Sequence, residues 1–250
     1  MIKLSQLDLE RFGVVVAKAT LKSADEIEAA NQACADQSVD MLIVRINSEQ
    51  LDIAQLLEHQ GAFLTDVLVY YSRSIAAERE RLFTLPDERN GVRIRPCRPE
   101  EATVVREMAR QSFKGYFGHY HSDPHLDAQS CDDVYVDWAY RSCIEKAVAH
   151  EVLVAEADGK LIGFATMTMN SPVKAEGVLF GVSPTAQGKG VYRALIQQSM
   201  AWASRLGAGD VVYSTQISNL AVQKVWVREG CEPSHSYLTF HKWFTEPPSG

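Results

Sequence analysis

The stretch Ser183–Ile196, SPTAQGKGVYRALI, sets a polar, glycine-bearing turn directly in front of an apolar-periodic run. Upstream lies the apolar GVLFGV, which reads as a strand. Downstream, Val191, Leu195, Ile196 and Met200 recur at helical spacing. A helix that opens this way leaves its first N–H groups unpaired, at the positive end of its dipole. Gly188 and Gly190 let a ligand approach those groups, so the expected ligand is a phosphate or pyrophosphate, with Lys189 and Arg193 adding local charge. The spacing is neither GxxxxGK[ST] nor GxGxxG, which argues against nucleotide hydrolysis and a Rossmann dinucleotide site. A tight connection with no ligand would need the same glycines.

The rest of the chain does little to attract an anion. Its 250 residues carry a formal charge of −7, with 46% apolar and 23% charged residues, the composition of a globular protein without a nucleic-acid footprint. Five scattered cysteines lack CxxC spacing, which suits a reducing compartment and argues against a disulfide framework or structural zinc. The opening MIKLSQLDLERFG lacks the apolar core of a signal peptide, and no run approaches the roughly 18 apolar residues of a membrane span. These features predict a cytoplasmic protein with neither nucleic acid nor membrane as partner.

Charge, Pro86 and Asn90-Gly91 in RLFTLPDERNGVR mark a connector between two patterned regions. Before it, three strands (FGVVVAKATL, DMLIVRI, DVLVYYSRSI) alternate with two helices (ADEIEAANQACADQ, LDIAQLLEHQG), predicting a small α/β amino-terminal domain over 1–85. After it, strands and helices alternate around one hairpin with its turn at Asp158-Gly159. This predicts a second domain over 91–245, so that the fold class is α/β (α+β) with a mixed sheet covered by helices. The final TEPPSG reads as a frayed tail. LLEHQGAFLTDVLVYY and WVREGCEPSHSYLTF share a helix end, a glycine, a turn and a strand. A partial internal repeat would produce that echo, as would any α-turn-β unit.

In order, VLVAEADGKLIGFATM, VLFGVSPTAQGKGVYRALI and STQISNLAVQKVWVREG resemble the GNAT superfamily of acyl-CoA-dependent N-acyltransferases over about residues 91 to 243. The family pattern Gln/Arg-x-x-Gly-x-Gly/Ala is met at Gln187 and Gly190, while Tyr192 stands where a small residue is usual. The resemblance implies acyl-CoA, acetyl or longer, as co-substrate, held at Gln187, Gly188, Lys189, Gly190, Val191, Tyr192 and Arg193. It also implies backbone partners for the pantetheine arm at Phe180 and Val182, and a further contact at Asn219. With DDVYVDWAYRSC upstream, the chain is also similar to bacterial acyltransferases of dTDP-linked amino sugars, of the dTDP-fucosamine acetyltransferase kind. That likeness implies an acceptor amine on a dTDP-linked amino-dideoxy sugar and a place in surface polysaccharide (lipopolysaccharide, O-antigen) biosynthesis. The amino-terminal region would then shape the acceptor cleft or an oligomer contact, compatible with a homodimer. Another small amine, a protein amino-terminus, or a catalytically silent acyl-CoA-binding module are the alternatives.

Acyl transfer to an amine needs an unprotonated nitrogen, a polarised carbonyl, and a proton or hydrogen bond for the departing thiolate. The carbonyl donors are expected as main-chain N–H groups near Met167 to Met169, where the hairpin's second strand would splay from the next. Asn219 and Trp226 share a helix face. The sugar-acyltransferase likeness implies a proton-donating tyrosine at 226, but an indole N–H cannot deliver a proton at neutral pH. Trp226 is therefore expected to pack on or hydrogen-bond the thioester end, or to be core alone. Tyr192, Tyr213 and Tyr237 are candidate proton donors. In GHYHSDPHLD, His121 is the favoured amine base and His119 with His121 the acceptor contacts. A solvated loop is the plainer reading, and Pro124 and the absence of HExxH argue against a metal. Tyr135 and Trp138 share a helix face as core or as an aromatic wall for the acceptor.

Overall fold

A computed structural model describes residues 2–246. The tail expected at 245–250 lies largely outside them. The strands are β1 (Lys3–Leu4), β2 (Val16–Leu21), β3 (Met41–Asn47), β4 (Phe63–Ser74), β5 (Glu88–Arg89), β6 (Val92–Pro96), β7 (Glu151–Ala157), β8 (Lys160–Ser171), β9 (Lys174–Val182), β10 (Asp210–Gln216) and β11 (Glu232–Trp243). The α-helices are α1 (Gln6–Phe12), α2 (Asp25–Asp36), α3 (Leu51–His59), α4 (Arg79–Phe83), α5 (Ala102–Ser112), α6 (Ala128–Ile144), α7 (Val191–Arg205) and α8 (Leu220–Arg228).

All the strands join one mixed sheet in the order β1-β2-β3-β11-β4-β10-β9-β8-β7-β6-β5. The connector expected at 86–91 runs between α4 and β6, yet strands from either side of it alternate in the sheet. The carboxy-terminal β11 pairs antiparallel with both β3 and β4, and β4 pairs antiparallel with β10. The units β3-α3-β4 and β10-α8-β11 thus place their second strands in each other's company. Each of their helices is followed by a left-handed glycine, Gly61 (φ 83°) and Gly230 (φ 75°).

Each sheet face buries its own set of side chains. Strand β3, MLIVRIN, is apolar on both sides, as a covered central strand must be. On one face Leu42, Val44 and Ile46 meet Ile27, Cys34, Ile53 and Leu57 of α2 and α3, and Ala165, Met167 and Val211 meet Leu195, Ile196 and Met200 of α7. On the other face Met41, Ile43, Phe164 and Leu179 meet Val105, Met108, Cys131 and Val134 of α5 and α6. Fully burying one such side chain is worth about 1.5–3 kcal/mol.

Several elements differ from the sequence expectation, α1 and α6 among them. Helix α6 starts earlier than DDVYVDW suggests, because the Asp127 carboxylate caps it by accepting from the Ser130 amide at 2.8 Å. Helix α1, which carries Asp8 and Arg11, was not expected. Its Arg11 reaches Asp137 of α6 at 3.0 Å, tying the amino terminus to the opposite half of the chain.

Candidate active site

The parallel pairing of β9 with β10 runs from Lys174↔Asp210 to Gly177↔Tyr213 and then stops, although both strands continue. The splay expected between β8, the hairpin's second strand, and β9 near Met167 to Met169 is therefore one strand over, between β9 and β10. Near Met167, β8 stays paired with β9, with a bulge where Thr166 and Met167 meet Leu179 and Gly177 and leave Val178 extra. Past Gly177, the β10-facing edge of β9, including Phe180 and Val182, has no strand partner. This gap joins the α7 face of the sheet to the α5–α6 face.

On the α7 face, Gly188 (φ 74°) and Gly190 (φ 82°) are left-handed, and a Cβ at either would meet nothing within 4 Å. Gly190 caps α7 without any side-chain bond. The first bond in the turn is Ala194 N–H to Gly190 O at 3.0 Å. Among the described residues, the N–H groups from Gly188 to Arg193 have no protein acceptor. An exposed row of unpaired amides at a helix start fits the diphosphate of coenzyme A. These amides and the exposed Lys189 would hold it, and the free edge of β9 would meet the pantetheine amides; the acyl thioester itself supplies the electrophilic carbonyl. Val191 is buried, so only its amide would be offered to a ligand. Two neighbours face elsewhere than expected: Gln187 turns back to the Val182 carbonyl (3.4 Å), and Arg193 pairs with the buried Glu229.

Residue 192 answers why a ring stands where a small residue is usual. Tyr192 packs on Phe180 with centroids 5.6 Å apart, and its hydroxyl accepts the indole N–H of Trp226 at 3.1 Å. Trp226 is 2% exposed, stacked on Tyr213 and tilted against Tyr71. Its single donor is thus engaged within the protein, not aimed at a thioester. Burial pushes the Tyr192 hydroxyl above its ordinary value, and the Trp226 bond works against that shift. The other candidate donors are placed poorly. Tyr213, fully buried, shares a hydrogen bond with Ser199 (2.8 Å), and Tyr237 lies on β11, beyond β4, against Tyr70. Asn219 caps α8, accepting from the Val222 amide (3.4 Å) and donating to Thr215 Oγ1 (3.0 Å).

On the α5–α6 face a cleft of about 930 Å³ opens over the same gap. Val178, Leu179, Ser214, Thr215 and Gln216 form its floor, and Asp66, Leu68 and Tyr70 of β4 one wall. Tyr116, Tyr135 and Trp138 form the opposite wall, so the aromatic pair expected from the sequence does face the cleft. Tyr135 stacks on Phe113 and meets Tyr116 edge-on, and Gln216 bridges the Tyr116 hydroxyl and Asp66. Burial pushes the Asp66 carboxyl up, against the Gln216 hydrogen bond. The far end holds Lys18, Arg45, His119 and Tyr120. Lys18 pairs with Asp8 at 2.6 Å, whereas the half-buried Arg45 has no ion-pair or hydrogen-bond partner among the described residues.

The loop GHYHSDPHLD separates its histidines. His121 binds Asp132 (3.1 Å) and accepts from the Gly118 amide (3.3 Å), outside the cleft lining, so the favoured base stands in the wrong place. His119 lines the cleft instead. Asp123 turns inward to His241 and Trp243, and Asp127 caps α6. Among the described residues no group of three or more His, Cys, Asp or Glu could hold a metal. Nor is any described helix long and apolar enough to cross a membrane. Sequence reading missed Lys18, Arg45, Asp66, Tyr70 and His241, which lie on strands far from any motif.

The acetyltransferase (GNAT) family model matches residues 106–230. The spore coat polysaccharide biosynthesis protein SpsD of Bacillus subtilis (strain 168) is 22% identical over 207 residues, 82% of this chain and 67% of that protein. A GCN5-related N-acetyltransferase from Sphaerobacter thermophilus has a similar fold (TM-score 0.62, 13% identity, 94% of this chain and 74% of that one). So does a tandem GNAT protein from the clavulanic acid biosynthesis pathway (TM-score 0.63, 14% identity, 94% and 76%). With its strand gap, its bare helix start and the match across the segment that builds both, this chain belongs to the GNAT acetyltransferase family and is an acyl-CoA-dependent N-acyltransferase.

Proposed function

We propose that the acceptor is the amine of a nucleotide-linked amino sugar, a dTDP-linked amino-dideoxy sugar, and that the product enters surface polysaccharide synthesis. The observation that carries the reading is the cleft. Its volume of about 930 Å³ suits a sugar nucleotide, its aromatic walls suit a sugar ring and a base, and Arg45 offers an unpaired cation for a diphosphate. The similarity to a polysaccharide biosynthesis protein supports the same class. Acyl donor and acceptor would approach from opposite faces of the sheet and meet at the gap beyond Gly177 and Tyr213. Proximity of this kind supplies roughly 7–11 kcal/mol in the best intramolecular cases. The backbone N–H of Val178 at the bulge would donate to the carbonyl oxygen, and the Tyr192 hydroxyl is the group left to protonate the thiolate.

Thiol release with acetyl-CoA and longer acyl-CoAs, over a panel of dTDP-amino sugars, UDP-amino sugars, free amino sugars, small amines and peptides, tests this. The reading expects release with nucleotide-linked sugars far above the others. Release with peptides or free amines alone would discard the sugar, and none from any amine despite CoA binding would point to a silent module.

A further inference from the structure

The β9–β10 pairing ends at Gly177↔Tyr213, so Ser214 is the first residue of β10 past it and stands across the gap from the Val178 bulge. On its other side Ser214 is directly opposite Tyr70 of β4. Tyr70, Glu176, Val178 and Ser214 all line the acceptor cleft, so they share the α5–α6 face of the sheet at the point where the gap opens. Adjacent strands lie about 4.8 Å apart, which sets the Tyr70 backbone one strand from the edge of the gap. Arg45 is in register with Thr239, and Thr239 with Asp66, four residues along β4 from Tyr70, so the cleft cation springs from further along the cleft.

Aromatic packing fixes the Tyr70 ring. It stacks on His235 of β11, with centroids 4.4 Å and planes 14° apart, and meets Tyr237 edge-on at 5.6 Å. Burial pushes its hydroxyl above the ordinary value, with Glu176 adding to the shift and Arg45 opposing it, so the phenol is neutral at working pH. The hydroxyls of Tyr70 and Ser214 face each other. Beyond that, neither has a hydrogen-bond partner among the described residues, and neither is sealed from the cleft.

An attacking primary amine has two N–H bonds and one lone pair, and two open hydroxyl oxygens match the two hydrogens. We propose that the hydroxyls of Tyr70 and Ser214 orient the attacking amine: each accepts one N–H, which leaves the lone pair aimed at the thioester carbonyl carbon beside Val178. The nitrogen gains positive charge as it bonds to that carbon, so both hydrogen bonds strengthen toward the transition state. Tyr70 keeps its own proton throughout; it orients the amine and does not titrate. It also lies ahead of the segment 106–230 that matches the family, so the amino-terminal region supplies a substrate contact at the reacting point. The inference rests on acyl transfer at the β9–β10 gap and not on which amine is accepted.

The test uses the full chain, acetyl-CoA and the amine that releases most thiol in the panel. Tyr70→Phe keeps the ring and its packing and removes only the hydroxyl. It should lower kcat about 10–100-fold, the cost of a misaimed nucleophile, with Kd for CoA and Tm unchanged. Ser214→Ala should lower kcat about three- to tenfold, the worth of one neutral hydrogen bond. The pH dependence of kcat/KM should keep its shape in both variants, because neither group titrates. The N-methyl form of the same amine has one N–H to offer. Against it the double variant Tyr70→Phe/Ser214→Ala should lose less than against the primary amine, a difference a purely structural pair would not produce. A folded Tyr70→Phe with kcat within twofold of the parent overturns the proposal, and so does an equal loss against both amines. If Tyr70→Phe does not fold, Ser214→Ala against the two amines decides. No thiol from the wild type with any amine would show instead that acyl transfer itself fails, and the amine seat with it.

Discussion

The indole Nε1 of Trp226 donates to the hydroxyl of Tyr192 at 3.1 Å, joining the second turn of α8 to the first turn of α7 across the α7 face of the sheet gap. Two departures from the family pattern therefore compensate each other: the ring at 192 gives the indole at 226 its acceptor. Tyr192→Phe should leave a buried N–H unpaired and lower stability by about 1–3 kcal/mol in urea unfolding. The double variant with Trp226→Phe should cost less than the sum of the two. Loss of the hydroxyl should also reduce kcat on the order of 10²-fold with KM for acyl-CoA little changed.

Gly190 sits at φ 82° in front of the unpaired amides of α7. Gly190→Ala should cost about 1–2 kcal/mol of backbone strain and weaken CoA binding, because the added methyl stands beside the amides. Calorimetric titration with CoA checks the affinity, and unchanged affinity would move the diphosphate elsewhere.

Arg45 is a half-buried cleft cation without an internal partner among the described residues. Arg45→Met should raise KM for a nucleotide-linked acceptor about tenfold or more, the worth of a charged hydrogen bond, and should flatten the salt dependence of kcat/KM. A neutral amine acceptor should be indifferent to the change.

His119 has a folded-state value below the ordinary 6.5, so the unfolded chain binds more protons in the interval between them. Stability from this group is complete above about pH 6.5 and is lost as pH falls toward the folded value. Asp123 is also shifted down: burial pushes it up, but hydrogen bonds from His241, the His125 amide and Trp243 outweigh that. Its contribution is present above the ordinary 3.8 and is lost only as pH falls through its lower folded value. Scanning calorimetry should give a lower Tm at pH 5 than at pH 7, and a smaller difference in His119→Gln.

Strand β4 pairs on one side with β10 and on the other with β11. A fragment starting at residue 91 would strip β11 of both its strand partners, expose an edge of β10 and lose the wall that carries Asp66, Leu68 and Tyr70. It should express as aggregate or lack the dispersed amide spectrum of a folded protein, and the fragment 1–85, without β11, should fail likewise. A folded, monomeric 91–250 would show that the two regions are independent.

Much of the site was legible locally. A helix start, its glycines and the strand before it are neighbours in sequence, so SPTAQGKGVYRALI announces the glycine turn and the bare helix start by itself. The three ordered segments around it carried the family, and helical spacing put Tyr135 and Trp138 on one face. The acceptor side was not legible. Lys18, Arg45, Asp66, His119 and His241 come from separate strands and a loop, and each is unremarkable in its own neighbourhood. His121 and His119 could not be told apart, because two histidines in one irregular loop give no periodicity by which to choose. Only the packing of β11 between β3 and β4 brings His241 behind His119.

Sequence alone determined the class of elements, the glycine turn that opens α7 and the family, because backbone geometry and periodicity act over a few residues. Tertiary structure alone decided the strand exchange, the gap between β9 and β10, the Tyr192–Trp226 bond and the His119–His241 bond. Those depend on side chains more than 30 positions apart meeting at hydrogen-bond distance, and no local pattern encodes such a meeting.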